Sequence, residues 1–358
     1  MAVFVVLLLV PIMMQYLVTG SGYINYEQKN QRALAFFFIF VTILLMLRHE
    51  SVGNDTRNYI YHFNLFANMG WGEIFTSQKE IGYAIFNKLI AVIFREHQIF
   101  FALVAIACSV MIYNTYKRLC LNASLTMVLY CILPTFVMMF SGLRQMLAIG
   151  IGFVAYECTR NKKPVHFVLA VILAISFHTS AFMLFFMYPI YCARITKKWL
   201  YAVVPLMVGI FIFSEAIFLR MALIAEYLFD YEVELTETGA YTMLILFAMF
   251  AVLSFLIPDE TLVDDETRGL RNFLLFSVVL QMLAPLHQLA MRLNYYYIIF
   301  IPLLLPMIIR RTSEKWRQVA VAASYVMLIF FFGYFFISIQ SESNLNVFPY
   351  HFFWENVG

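Results

Sequence analysis

Arg48, Asp55, Arg144, His178 and Arg292 stand in or beside long apolar stretches of the chain. A guanidinium at the centre of a membrane helix costs roughly 2.5–3.5 kcal/mol on insertion scales, and less near the interface. Three arginines suit phosphate, because a planar, permanently charged fork can grip two oxygens at once. His178 is flanked by Ser176, Thr179 and Ser180, and an imidazole is a side chain suited to taking a proton near neutral pH. Asp55 is the rival base, since a carboxylate in a partly dry cleft can be tuned toward the working range. Read together, the five form the floor of a site for an anionic, membrane-held substrate. Each also has a plainer reading. Arg48 can be a snorkelling arginine and Asp55 a helix cap. Arg144 and Arg292 can be interfacial anchors, and His178 a packing residue.

The elements that must position these residues are membrane helices. The 358 residues are 63% hydrophobic and 13% charged, about half the charge of a soluble domain, and the mean hydropathy is +0.81. This composition describes an all-α, polytopic integral membrane protein, a single transmembrane domain over residues 1–358. The apolar start, Met1–Val18, has no basic leader and reads as a retained span. The net charge of +3 says little about partners, and nothing points to nucleic acid. Cys108, Cys120, Cys131, Cys158 and Cys192 lie in or beside spans without paired spacing, as small apolar filler. The sequence carries no D-x-D, H-E-x-x-H, paired-cysteine or P-loop motif, so neither a metal nor another cofactor is expected, and any phosphate recognised is expected on a lipid.

Apolar stretches of spanning character fall near Met1–Val18, Leu34–Leu47, Gln98–Tyr116, Ala123–Phe140, Met146–Glu157, Val165–Phe177, Thr179–Tyr191, Leu200–Phe218, Ala240–Ile257, Asn272–Leu289, Leu293–Ile309 and Val319–Ile337, about twelve in all. The basic clusters Lys29/Arg32, Lys117/Arg118, Arg160/Lys162/Lys163, Arg194/Lys197/Lys198, Arg268/Arg271 and Arg310/Arg311/Lys315/Arg317 then share one side. The positive-inside rule makes that side cytoplasmic, with both termini outside. This alternation requires Ile81–Phe94, interrupted by Asn87 and Lys88, to be an interfacial or re-entrant helix inside one structured external loop, residues 48–97. A second, acidic external loop covers 219–239. The segment Ser176–Ser180 is either a tight turn or a break in one long apolar run.

The ordered set of motifs resembles the EpsG/Wzy-type polysaccharide polymerase family over nearly the whole chain. The carrying residues are Arg48 with Val52-Gly53-Asn54-Asp55-Thr56 and Tyr59, then Glu80-Ile-Gly82-Tyr83, Arg144-Gln145, Phe177-His178-Thr-Ser180, and Arg292 with Tyr295 and Tyr296. The resemblance implies a GT-C-like polymerase architecture and a bacterial inner-membrane glycosyltransferase. Its substrate would be an oligosaccharide repeat unit on undecaprenyl pyrophosphate, polymerised at the external face into exopolysaccharide, capsule or O-antigen. Expected company includes membrane lipid, a chain-length regulator and a flippase. In that scheme His178 or Asp55 is the base and Arg48, Arg144 and Arg292 hold the pyrophosphate. Arg57, Tyr59, Glu80, Tyr83, Gln145, Tyr295 and Tyr296 meet the sugars. Pyrophosphate leaves readily, so the general acid of a glycosidase pair is not needed. A lipid-linked oligosaccharide flippase would instead line a two-sided cavity and show internal repeats. A membrane acyltransferase would place its histidine toward the cytoplasm.

Overall fold

Pro134, Gly142 and Pro164 each stand at a helix boundary in the apolar stretches. The computed structural model describes residues 2–17, 25–229, 241–339 and 345–357. Its chain falls into two compact units, Met1–Phe185 with Val321–Gly358, and Phe186–Ala320. Among the described residues the regular structure is helical; an isolated antiparallel bridge pairs Arg48 with Phe352.

The first unit contains α1 (Ala2–Leu17), α2 (Tyr26–Met46), α3 (Thr56–Asn68), α4 (Trp71–Ser77), α5 (Ile81–Phe94), α6 (His97–Leu119), α7 (Ala123–Ile132), α8 (Pro134–Ser141), α9 (Leu143–Arg160) and α10 (Pro164–Phe177). The second contains α11 (Met187–Cys192), α12 (Leu200–Ile212), α13 (Ser214–Phe229), α14 (Tyr241–Leu256), α15 (Asp265–Gln281), α16 (Gln288–Ile298) and α17 (Ile301–Arg310); α18 (Arg317–Ile339) follows. Among the described residues, α2, α6 and Glu314–Ile337 are long and apolar enough to cross a membrane. The number reaches six if each bent helix pair is one span.

Several expected elements differ from their sequence reading. The stretch Ala123–Phe140 is two helices bent by 62°, because Leu133 precedes Pro134 and is forced extended (ψ 143°). The segment Ser176–Ser180 is a break: α10 stops at Phe177, His178 is extended, and a 3-10 helix runs over Thr179–Phe186. The acidic loop begins later than residue 219, since α13 continues to Phe229; residues 230–239 lie outside the described residues. The stretch Asn272–Leu289 is helical to Gln281, turns over residues 282–286, and enters α16 at Gln288. Residues 48–97 hold three helices, α3 to α5.

Within the first unit α9 and α10 form an antiparallel hairpin. Its turn, Asn161–Lys163, uses a left-handed Lys162 (φ 54°), and Pro164 starts α10 in the first-turn position that lacks an N–H partner anyway. Arg118 at the end of α6 pairs with Glu157 at 2.7 Å, so Lys117, Arg118, Arg160, Lys162 and Lys163 gather at this end. The opposite end gathers Arg144 and His178. There, Gln98 at the start of α6 donates to the carbonyl of Met46 at the end of α2. Both ends of α5 attach to that same end of the bundle. Glu80, its N-cap, meets Arg144 and His178, while Arg95 and Glu96 lead straight into α6. Lys88, the charge that interrupts α5, donates 2.8 Å hydrogen bonds to the carbonyls of Ala67 and Met69 and so caps α3.

The C-terminal segment 345–357 straps the loop after α2. His49 N–H donates to His351 O and Phe353 N–H to Leu47 O, each at 2.9 Å; Gly53 and Asn54 N–H donate to Asn346 and Leu345 at 3.0 Å. In the second unit α15 packs against α11, α12, α14, α16 and α17. Its fully buried Arg271 pairs with Glu260 at 2.6 Å and lies over the Phe255 ring. Asn294 bridges Ser277 and Gln281. These polar side chains are hydrogen-bonded, as burial requires.

Candidate functional site

Glu80, Arg144 and His178 meet at one end of the first unit. Glu80 Oε2 accepts from Arg144 Nη1 at 2.7 Å, and Oε1 pairs with His178 Nδ1 at 2.7 Å and accepts Thr179 N–H at 3.0 Å. The carboxylate is the floor, with its side chain 12% exposed; His178 at 23% and Arg144 at 38% open outward.

Local sequence explains each placement. Gly82 lets the start of α5 press against the end of α10: a Cβ there would stand 2.2 Å from Ser176 Oγ. That approach brings Glu80, at the α5 N-cap, to His178, at the α10 C-cap. A carboxylate at a helix N-terminus and an imidazole at a C-terminus both suit the helix dipoles. Arg144 stands in the first turn of α9, beyond the Gly142 break. A helix N-terminus repels a cation, so Arg144 is held by its other partners. Besides Glu80 it hydrogen-bonds Tyr59, and it lies 5.8 Å from the Tyr83 ring centroid.

Tyr59 lies on the buried face of α3, with Thr56, Phe63 and Phe66. Its ring meets that of Tyr83 edge-on at 6.3 Å. Asp55 is the N-cap of α3 but makes no side-chain cap bond; its Oδ2 faces Ser141 Oγ at 3.5 Å. The turn before it needs Gly53, whose φ is +91° and whose Cβ would lie 2.3 Å from the Phe140 carbonyl oxygen.

Burial alone would raise the Glu80 pKa. The hydrogen bond and charge of His178, the charge of Arg144 and the Thr179 N–H outweigh it and hold the carboxyl below its ordinary range. His62, one turn along α3 from Tyr59, is pushed down by burial and by the Arg144 charge. His62, which has no metal-ligand spacing to the other histidines, Ser141 and the Thr179 N–H are not among the site residues expected from sequence. The spacing of Tyr59 and His62 on one helix face was the available signal for the first.

The other expected site residues of the first unit are Arg48, Gln145 and Arg57. Arg48 is 1% exposed; its guanidinium lies 4.6 Å from the Phe101 centroid and donates to the Leu45 carbonyl. Gln145 is buried in α9. Arg57 is exposed and faces Glu50 at 3.5 Å. Tyr295 and Tyr296 are buried in the second unit, where Arg292 is half-buried on α16. Among the described residues no three His, Cys, Asp or Glu side chains gather as metal ligands.

Apolar helices with a solvent-reaching Arg–Glu–His cluster at one bundle end define an integral membrane protein with a polar site beside its membrane-embedded helices. The EpsG family matches residues 32–352, nearly the whole chain, and the chain belongs to it: the EpsG-type polysaccharide polymerases. No curated protein and no solved structure matches the chain. Membership gives the general activity, polymerisation of the glycosyltransferase type.

Proposed function

We propose that this protein joins oligosaccharide repeat units carried on a lipid pyrophosphate, undecaprenyl pyrophosphate by resemblance, at the external face of the bacterial cytoplasmic membrane. The observation that carries the reading is the juxtaposition of Arg144 and His178 on the two oxygens of Glu80. Glycosyl transfer from a pyrophosphate needs a base for the acceptor hydroxyl and positive charge for the departing pyrophosphate. His178 is the base in this reading, and Arg144 is the cation. The α9 N-terminus, where Arg144 stands in the first turn, adds to the anion-binding character of that corner. Asp55 and Arg57 rim the same end and are sugar contacts, while Tyr59 and Tyr83 form the wall behind Arg144. Arg48, sealed under Phe101, has a structural part.

Sidedness follows from charge. The basic residues of the α6, α9 and α10 ends belong inside, which leaves the cluster outside. A helix such as α5, with both ends attached at the cluster end, fits an interfacial or re-entrant position.

The test uses purified protein in nanodiscs with a purified lipid-linked repeat unit. Wild type should form polymer and release the lipid pyrophosphate. His178→Ala should lower turnover by about 10²–10⁴-fold, the span of general-base contributions. Arg144→Lys, which keeps charge and loses the fork, should also fail. Transport of the unit across the bilayer without bond formation would overturn the reading in favour of a flippase.

A further inference from the structure

We infer that Glu80 is the positioning residue of the site: it fixes His178 as the Nδ1–H tautomer, so that Nε2 is the atom that takes the acceptor proton. The inference rests on the proposed role of His178 as base. It assigns Glu80 a task different from sugar contact.

The geometry carries it. An ionised carboxylate only accepts hydrogen bonds. Glu80 Oε1 lies 2.7 Å from Nδ1, so in the neutral ring Nδ1 bears the hydrogen and Nε2 is bare. The same oxygen accepts Thr179 N–H, and Oε2 is held by Arg144 Nη1. The carboxylate therefore cannot rotate away without losing two further donors. The lowered Glu80 pKa keeps it ionised across the physiological range. The backbone that carries the ring is held as well: His178 N–H donates to Ala174 O at 3.0 Å, and Ala181 N–H to His178 O at 2.9 Å. Nδ1 is thus occupied, and Nε2 is the ring nitrogen left for chemistry.

The step then balances. The acceptor O–H bond breaks and its proton goes to Nε2. The acceptor oxygen bonds to the donor's anomeric carbon, and the bond from that carbon to the phosphate oxygen breaks. The electron pair leaves on the pyrophosphate, beside Arg144. The imidazolium formed meanwhile is stabilised by Glu80, which stays ionised. One carboxylate therefore sets the orientation of the base and of the phosphate-binding fork together.

The test is nitrogen-15 NMR of histidine-labelled protein in nanodiscs, without substrate, with His178→Asn used to assign the signal. At pH 7.5 the wild-type ring should be the Nδ1–H tautomer. Glu80→Gln, whose amide nitrogen can face the ring, should shift it toward Nε2–H and lower kcat by at least about 100-fold. Glu80→Asp, which keeps an acceptor, should recover part of both. An Nε2–H ring in wild type overturns the assignment while polymerisation stands. So does a Glu80→Gln protein with unchanged tautomer and turnover. The wild-type spectrum needs no variant to fold. If its ring is Nδ1–H but the protein makes no polymer, the proposed reaction falls, and the positioning role falls with it.

Discussion

One carboxylate with three donors has a consequence for stability as well as for chemistry. Glu80 binds its proton less readily in the folded protein than at the ordinary value of 4.5. As pH falls from that value toward the lower folded one, the unfolded chain takes up a proton that the folded chain refuses. The contribution of Glu80 is therefore complete above the ordinary value and is lost below it. Thermal unfolding in detergent should find Glu80→Gln less stable than wild type by about 1–3 kcal/mol at pH 7. The gap should narrow as pH falls below 4.5, and a gap of constant size would show that the ionised form is not what stabilises. At this scale the sequence was legible in residue type: Arg144, His178, Asp55 and Glu80 stand out as charge in an apolar chain. Partnership was not legible. Glu80 and His178 are 98 positions apart, and nothing local says which of several acids meets the imidazole. The seclusion of Arg48 was equally invisible, because burial over Phe101 depends on α2 and α6 lying side by side.

Two helix ends, the start of α5 and the end of α10, decide whether that carboxylate reaches its imidazole. Gly82 makes the approach possible, and the atom it meets is Ser176 Oγ. Gly82→Ala should push α5 away from α10, lower polymer synthesis by tenfold or more, and leave the yield of folded protein near normal. Adding Ser176→Ala removes the nearest obstacle, though the Ser176 Cβ and carbonyl remain at 3.0 and 3.1 Å, so recovery should be partial. No recovery in the double variant would separate Gly82 from the site. Of the elements, α5 was legible to the residue, since its apolar run is bounded by Glu80 and Arg95. The bend at Pro134 and the continuation of α13 to Phe229 were not. Uniformly apolar stretches lack a periodicity that distinguishes one long helix from two short ones, and lipid-facing and protein-facing positions look alike.

At the scale of the whole molecule the question is which way the first unit faces, and α9 frames it. Its 18 residues rise about 27 Å, close to the thickness of the hydrocarbon core. Arg144 stands at one end, while Arg160, Lys162 and Lys163 stand at the other, joined by Arg118 of α6. Cationic side chains at loop ends set orientation through their retention on the cytoplasmic side, so this hairpin should hold its basic turn inside and its cluster outside. Arg57, 73% exposed beside the Asp55 turn, and Lys162, exposed in the α9–α10 turn, sample the two ends without interference from burial. In a background with the five native cysteines replaced, Arg57→Cys should react with an impermeant thiol reagent applied to intact cells, or to spheroplasts where an outer membrane is present. Lys162→Cys should react only after permeabilisation. The reverse pattern would put the cluster in the cytoplasm. The positive-inside argument would then fail for this chain, and so would external polymerisation, because lipid-linked units delivered to the outer leaflet could not reach a histidine on the inner one.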